Sequence, residues 1–175
     1  MDLKKYIRSI PDYPKKGILF RDITTLIKSP EAFKFANDKI IEIAKKIDFD
    51  KVSAIESRGF VFASTVSYIL NKPFILLRKK DKLPAETHSV DFKLEYGEAT
   101  IEVHKDSIAK DEKILVIDDL IATGGTAEAA AKLIEISGGK VAGFIFVINL
   151  FDLPGSKLLS EKGYKTSSLI EFPGH

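Results

Sequence analysis

Apolar residues along this chain keep two rhythms, and polar residues gather where one rhythm gives way to the other. Leu3, Tyr6, Ile7 and Ile10 recur at helical spacing, so the chain is expected to open with a short helix that Pro11 ends. The loop from Pro11, with Pro14 and Gly17, leads through Ile18, Leu19 and Phe20 into a brief extended piece outside any main sheet. Phe33, Ala36, Ile40, Ile43, Ala44 and Ile47 mark one face of a helix over 30–46 that starts at Pro30. Short apolar runs at 51–55, 73–77, 114–117 and 141–148 read as strands. The last two lack polar alternation and are rich in β-branched or aromatic residues, as strands covered on both faces are.

Helices are expected after the first and third of these strands, from Gly59 to about Leu70 and over 127–136, the latter stopped by Gly138-Gly139. From 85 to 103 polar and apolar residues alternate, which predicts a two-stranded flap rather than a core element, and 164–170 reads as a last strand at the sheet edge. Strands alternating with helices predict an α/β fold with a mainly parallel twisted sheet flanked by helices.

Each predicted strand ends in a polar cluster, on the edge where open α/β sheets bind ligands. After 114–117 come Asp118 and Asp119, then Ala122-Thr123-Gly124-Gly125-Thr126 and the start of a helix. Glycines let the backbone approach a ligand, and the unpaired N–H groups and dipole of a helix start favour a phosphate dianion. Two neighbouring acids beside an anion site make sense if hydroxyls or a metal ion lie between them and the phosphate; a solvated strand end is the plainer alternative. Glu56-Ser57-Arg58-Gly59 follows 51–55, and Arg78-Lys79-Lys80-Asp81-Lys82 follows 73–77. Read alone, these are a cation at a turn and a charge run.

Composition narrows the classes. The 175 residues, 45% of them hydrophobic, suit one compact domain. A net charge of +2 from 27 basic and 25 acidic residues argues against nucleic-acid or membrane binding by bulk charge. Without cysteine there is no disulfide or thiol chemistry, and zinc is not expected. No apolar run is long enough to span a membrane, and Met1 to Ile7 lack the apolar core of a signal peptide, so a cytoplasmic protein is expected.

The stretch Asp118-Asp119-Leu120-Ile121-Ala122-Thr123-Gly124-Gly125-Thr126 resembles the phosphoribosyl pyrophosphate (PRPP) signature of the type I phosphoribosyltransferases, and its wording is most similar to that of the adenine-using members. Four further motifs match in order: Pro14 to Thr24, Glu56-Ser57-Arg58-Gly59, Arg78 to Pro84 and Leu94-Glu95-Tyr96-Gly97. The resemblance implies the type I phosphoribosyltransferase fold in a single domain, with a base-binding hood over 1–28 and a mobile flap over 79–103. It implies transfer of the phosphoribosyl group from PRPP to adenine, giving AMP and pyrophosphate; another purine such as xanthine, or PRPP sensing without catalysis, are the alternatives. Asp118 and Asp119 would hold the ribose hydroxyls, and Ala122, Thr123, Gly124, Gly125 and Thr126 the 5′-phosphate. Ser57, Arg58, Arg78, Lys79 and Lys82 would hold pyrophosphate. Phe20 and Leu150 would sandwich the adenine while backbone groups of Leu19 and Arg21 read its edge. Glu95 would act as the acid/base and Tyr96 would help to close the flap. Mg²⁺ bound mainly through PRPP, and a homodimer, are implied as well. Lys16 and Asp81 depart from the family pattern, and Asn149 stands where some members carry Glu; no role is assigned to Asn149 or to Phe172-Pro173-Gly174-His175.

Overall fold

The computed structural model describes residues 1–94 and 97–175. Leu3–Tyr6 form one 3₁₀ turn, capped by Asp2, whose carboxylate accepts from Lys4 N–H at 3.1 Å. The chain is extended from there on: β1 (Arg8–Pro11) pairs antiparallel with β2 (Leu19–Asp22) in a separate two-stranded sheet. The helix expected through Ile10 is therefore a single turn. Leu3 and Ile7 are buried, but Ile10 is only half-buried, and so short a helix gains less from its own bonds than β1 gains from pairing. Arg8 fastens the two strands of this hairpin together, its Nε donating to the buried Asp22 carboxylate at 3.0 Å.

Two helices follow. α1 (Thr24–Lys28) is too short to show a periodicity, whereas α2 (Pro30–Ala44) has the expected start: Ser29 Oγ accepts from Ala32 N–H at 3.3 Å and Pro30 occupies the first turn. The remaining elements are β3 (Lys51–Ile55), α3 (Arg58–Leu70), β4 (Phe74–Lys79), β5 (Thr87–Lys93), β6 (Glu98–His104), β7 (Lys113–Ile121), α4 (Gly125–Ile136), β8 (Lys140–Leu150), α5 (Gly155–Glu161) and β9 (Thr166–Phe172). Seven strands form one sheet in the order β5-β6-β4-β3-β7-β8-β9. It is parallel from β4 to β9, and β5 and β6 join it antiparallel.

The period-two geometry of β7 explains its unbroken apolar run. Leu115 and Ile117 pack with Ile40 of α2 and Phe62 of α3, while Ile114 and Val116 pack with Leu133 and Ile134 of α4 on the opposite face. Each such side chain contributes about 1.5–3 kcal/mol by leaving water, so both faces of β7 anchor the fold.

Two expectations change here. Residues 85–103 were expected as a flap outside the core, but β6 pairs with β4 (Arg78↔Glu102, Lys79↔Ile101), and Val90, Ile101 and Val103 are buried with the α4 cluster. Their alternation is that of strands with one face covered, here by α4, and the hairpin base is core. The acids, expected beyond the end of a strand, lie within β7, which continues to Ile121. Pairing with β3 stops at Ser53↔Val116, whereas pairing with β8 runs on to Ile121↔Asn149. Past Val116, then, one side of β7 is free of the ladder, and the site is built there.

Candidate functional site

The space that β3 vacates beside β7 is filled by the turn into α3. Gly59 makes the approach possible: a Cβ at that position would lie 2.8 Å from Asp118 Oδ1 and 2.9 Å from the Ile117 carbonyl oxygen. Immediately before it, Arg58 Nε donates to Asp119 Oδ2 at 2.6 Å. Asp119 is buried while the Arg58 side chain is 50% exposed, so the cation answers a buried carboxylate and still faces solvent. A charge-assisted bond of this kind has a net value of about 1.5–3 kcal/mol. The Glu56–Ser57 peptide bond is cis.

Asp119 N–H, which has no β3 partner, donates to Asp118 Oδ1 at 2.8 Å. Asp118 is half-buried and lines the site cavity. Burial, and after it the charge of Asp119, pushes the Asp118 carboxyl well above the usual carboxylate range, against a weaker pull from Arg58. The two acids are thus unequal: Asp119 is paired with a cation, and Asp118 is the one whose charge the fold disfavours.

Beyond Ile121 the chain turns through Thr123-Gly124-Gly125 into α4. Gly124 has φ +91°, and a Cβ on it would lie 2.9 Å from Gly155 Cα. Gly155 is equally constrained, since a Cβ there would lie 2.4 Å from the Ala122 carbonyl oxygen. Its N–H donates to that oxygen at 2.9 Å. The start of α5 therefore supports the loop from behind, leaving the first amides of α4 available to an anion.

One cavity of about 470 Å³ collects Ser57, Arg58, Lys79, Asp118, Asp119 and every residue from Ala122 to Thr126. Phe92, Leu94, Thr100 and Ile101 also line it, and Glu56 ties its cationic side together: its Oε1 accepts from Lys79 N–H at 2.5 Å and lies 3.4 Å from Arg78 Nε. Arg78 and Lys82 do not line the cavity. The Arg78 guanidinium also donates to the Lys82 carbonyl oxygen at 3.2 Å, and Lys82 is exposed. Leu19, Phe20 and Arg21 lie outside the lining too, on β2, but Phe20 reaches the site through Arg58, whose Cζ stands 5.5 Å over its ring. Leu150, at the end of β8, is buried and stands opposite Phe172 in the ladder with β9. Glu95 and Tyr96 lie outside the described residues.

Glu56, Gly59 and Gly155, together with the wall from β5 and β6, had no assigned role in the sequence. Glu56 and Gly59 stand inside a recognised motif, so their position was a usable signal. Gly155 follows Leu153-Pro154, and nothing local shows that it meets a loop some 30 residues earlier.

The sheet edge and the site together define a class, and residues 24–174 match the family described as Phosphoribosyl transferase domain. Among relatives, the adenine phosphoribosyltransferase of Pelagibacter ubique (strain HTCC1062) is 71% identical over 175 residues, covering 100% of both chains. The crystal structure of adenine phosphoribosyltransferase from Thermoanaerobacter pseudethanolicus is 44% identical, with a TM-score of 0.93 over 98% of each chain. That of the Giardia lamblia enzyme complexed with 9-deazaadenine is 33% identical, with a TM-score of 0.92 over 98% of this chain and 96% of that one. The chain belongs to the adenine phosphoribosyltransferase family.

Proposed function

We propose that this protein transfers the 5-phosphoribosyl group of PRPP to adenine, releasing AMP and pyrophosphate, a purine salvage reaction. The observation that carries this reading is the reach of Arg58, which bonds Asp119 and stands over Phe20, so that the base strand and the acid pair meet in one place. In the reaction a ring nitrogen of adenine forms a bond to C1′ of the ribose, the bond from C1′ to the pyrophosphate oxygen breaks, and the nitrogen loses its proton.

The chain's groups match the charges that develop. Asp118 and Asp119 accept from the ribose hydroxyls and place negative charge near the oxocarbenium-like sugar, while Ala122 to Thr126 hold the 5′-phosphate at the start of α4. Ser57, Arg58 and Lys79 bind the leaving pyrophosphate, joined by Arg78 and Lys82 from the segment after β4. Phe20 stacks on the base, backbone groups of Leu19 and Arg21 read its edge, and Leu150 closes the other side. Glu95 handles the proton of the attacking nitrogen, and Tyr96 helps the flap over 79–103 to close beneath the hood over 1–28.

A Mg²⁺ bound mainly through PRPP is proposed too, since a hard cation takes oxygen ligands and the phosphates supply them, with the Asp118 and Asp119 carboxylates in the same cavity. Such an ion would neutralise charge on the leaving group. A homodimer is proposed as well, seated on Tyr68 and Ile69 of α3 and Leu76 of β4, large apolar side chains that stand exposed. Among the described residues no helix is long and apolar enough to cross a membrane, and the cytoplasm is the proposed location.

The test is product formation from PRPP with adenine, hypoxanthine, guanine and xanthine in turn. AMP from adenine, at a kcat/KM at least about a hundredfold above the oxo-purines, is the expected result, since an unmatched edge leaves polar groups unpaired. Preference for an oxo-purine would refute the base assignment. In the same assay Glu95→Gln should lower kcat with little change in the KM for PRPP.

A further inference from the structure

We propose that Arg21 and the segment 172–174 form a clasp that sets the spacing of the two walls of the base pocket, acting on adenine recognition and not on PRPP binding. The proposal rests on the adenine reading above. Arg21 is only 8% exposed, yet among the described residues no carboxylate is its partner: its guanidinium donates to Ser9 Oγ at 2.5 Å and to the Pro173 carbonyl oxygen at 3.1 Å, and its Cζ lies 4.4 Å over the Phe172 ring. Burial pulls its pKa below the usual value, which marks the cost of keeping a cation there. An apolar side chain would pack the same space with less desolvation, so what arginine adds is the pair of directed bonds.

The other end of the clasp holds the opposite wall. Gly174 N–H donates to the Asp152 carboxylate at 2.6 Å, Phe151 N–H donates to the Phe172 carbonyl oxygen at 3.1 Å, and a Cβ on Gly174 would lie 2.7 Å from Leu153 Cγ. One short peptide thus touches the strand bearing Leu19 and Phe20 on one side and the loop after Leu150 on the other. Its bonds run to Ser9-braced Arg21, Phe151 and Asp152, while the phosphate loop is supported separately by Gly155. Arg21 therefore has two functions: its backbone belongs to the base strand and its side chain positions that strand.

The experiment is steady-state kinetics with adenine and PRPP varied in turn, with circular dichroism and thermal unfolding as folding controls. The proteins are the full chain, Arg21→Met, Asp152→Ala and a chain ending at Glu171. In Arg21→Met and the shortened chain the KM for adenine should rise about tenfold, the loss of roughly one directed bond, with the KM for PRPP within about twofold. Asp152→Ala alters an exposed residue and should raise the adenine KM about threefold, so the test stands even if the other two variants do not fold. An unchanged adenine KM in the folded variants, or equal rises in both KM values, overturns the clasp. A full chain that makes no AMP from adenine overturns the activity itself, an outcome separate from the clasp.

Discussion

Asp118 and Asp119 are chemically identical neighbours that the fold makes different. Asp119 meets a guanidinium, while Asp118 is half-buried beside Asp119's charge, with its carboxyl held above the usual range. The folded state thus binds a proton at Asp118 more readily than the unfolded state does. Between the ordinary carboxylate value and the raised one the native state carries more protons, so stability falls as pH rises through that window. Asp118→Asn removes the titration, and its thermal midpoint should exceed that of the parent protein at pH 8, with the gap closing toward pH 4. Scanning calorimetry across that range checks this; a gap independent of pH would mean that packing, not ionisation, separates the two. Under the proposed ribose contact of Asp118, activity should fall in the same variant, because an amide replaces one of the two carboxyl oxygens with a donor.

Among the elements, legibility followed how locally each is determined. β7 was readable because both its faces are covered and every position from Ile114 to Ile117 is apolar; the glycine turn into α4 was readable because acids, glycines and a helix start follow in one short stretch. The β1 hairpin was not, since Leu3, Tyr6, Ile7 and Ile10 fit a helix as well as a turn and strand, and the pairing that decides the matter comes from β2. The burial of the β5 and β6 base was hidden for a related reason: alternation shows that one face is covered but not by what, and here α4 covers it. Gly155 is the extreme case, its role visible only as a contact with Ala122 and Gly124. Gly155→Ala must push the loop forward by several tenths of an ångström or more. Its KM for PRPP should rise at least about tenfold at a cost in stability of about 1–3 kcal/mol, with the adenine KM much less affected. Isothermal calorimetry with PRPP, beside denaturant unfolding, measures both effects. Unaltered PRPP affinity would show that α5 does not support the loop.

For the molecule as a whole, the edge of the sheet on which PRPP is proposed to bind is distinct from the apolar surface at Tyr68, Ile69 and Leu76. Tyr68 is 85% exposed, an unusual position for a tyrosine unless another surface covers it. Tyr68→Glu should convert a dimer to a monomer in light scattering while leaving the fold intact by circular dichroism. A parent protein that is already monomeric at micromolar concentration would dispose of the dimer.

Arg21 bonds a carbonyl 152 positions further along the chain. Contacts so distant in sequence close late, because the entropy of the intervening loop must be overcome first. The clasp, proposed to set the base pocket, is thus among the last contacts to close, after the Arg58–Asp119 and Gly155–Ala122 bonds, which join positions much nearer in sequence.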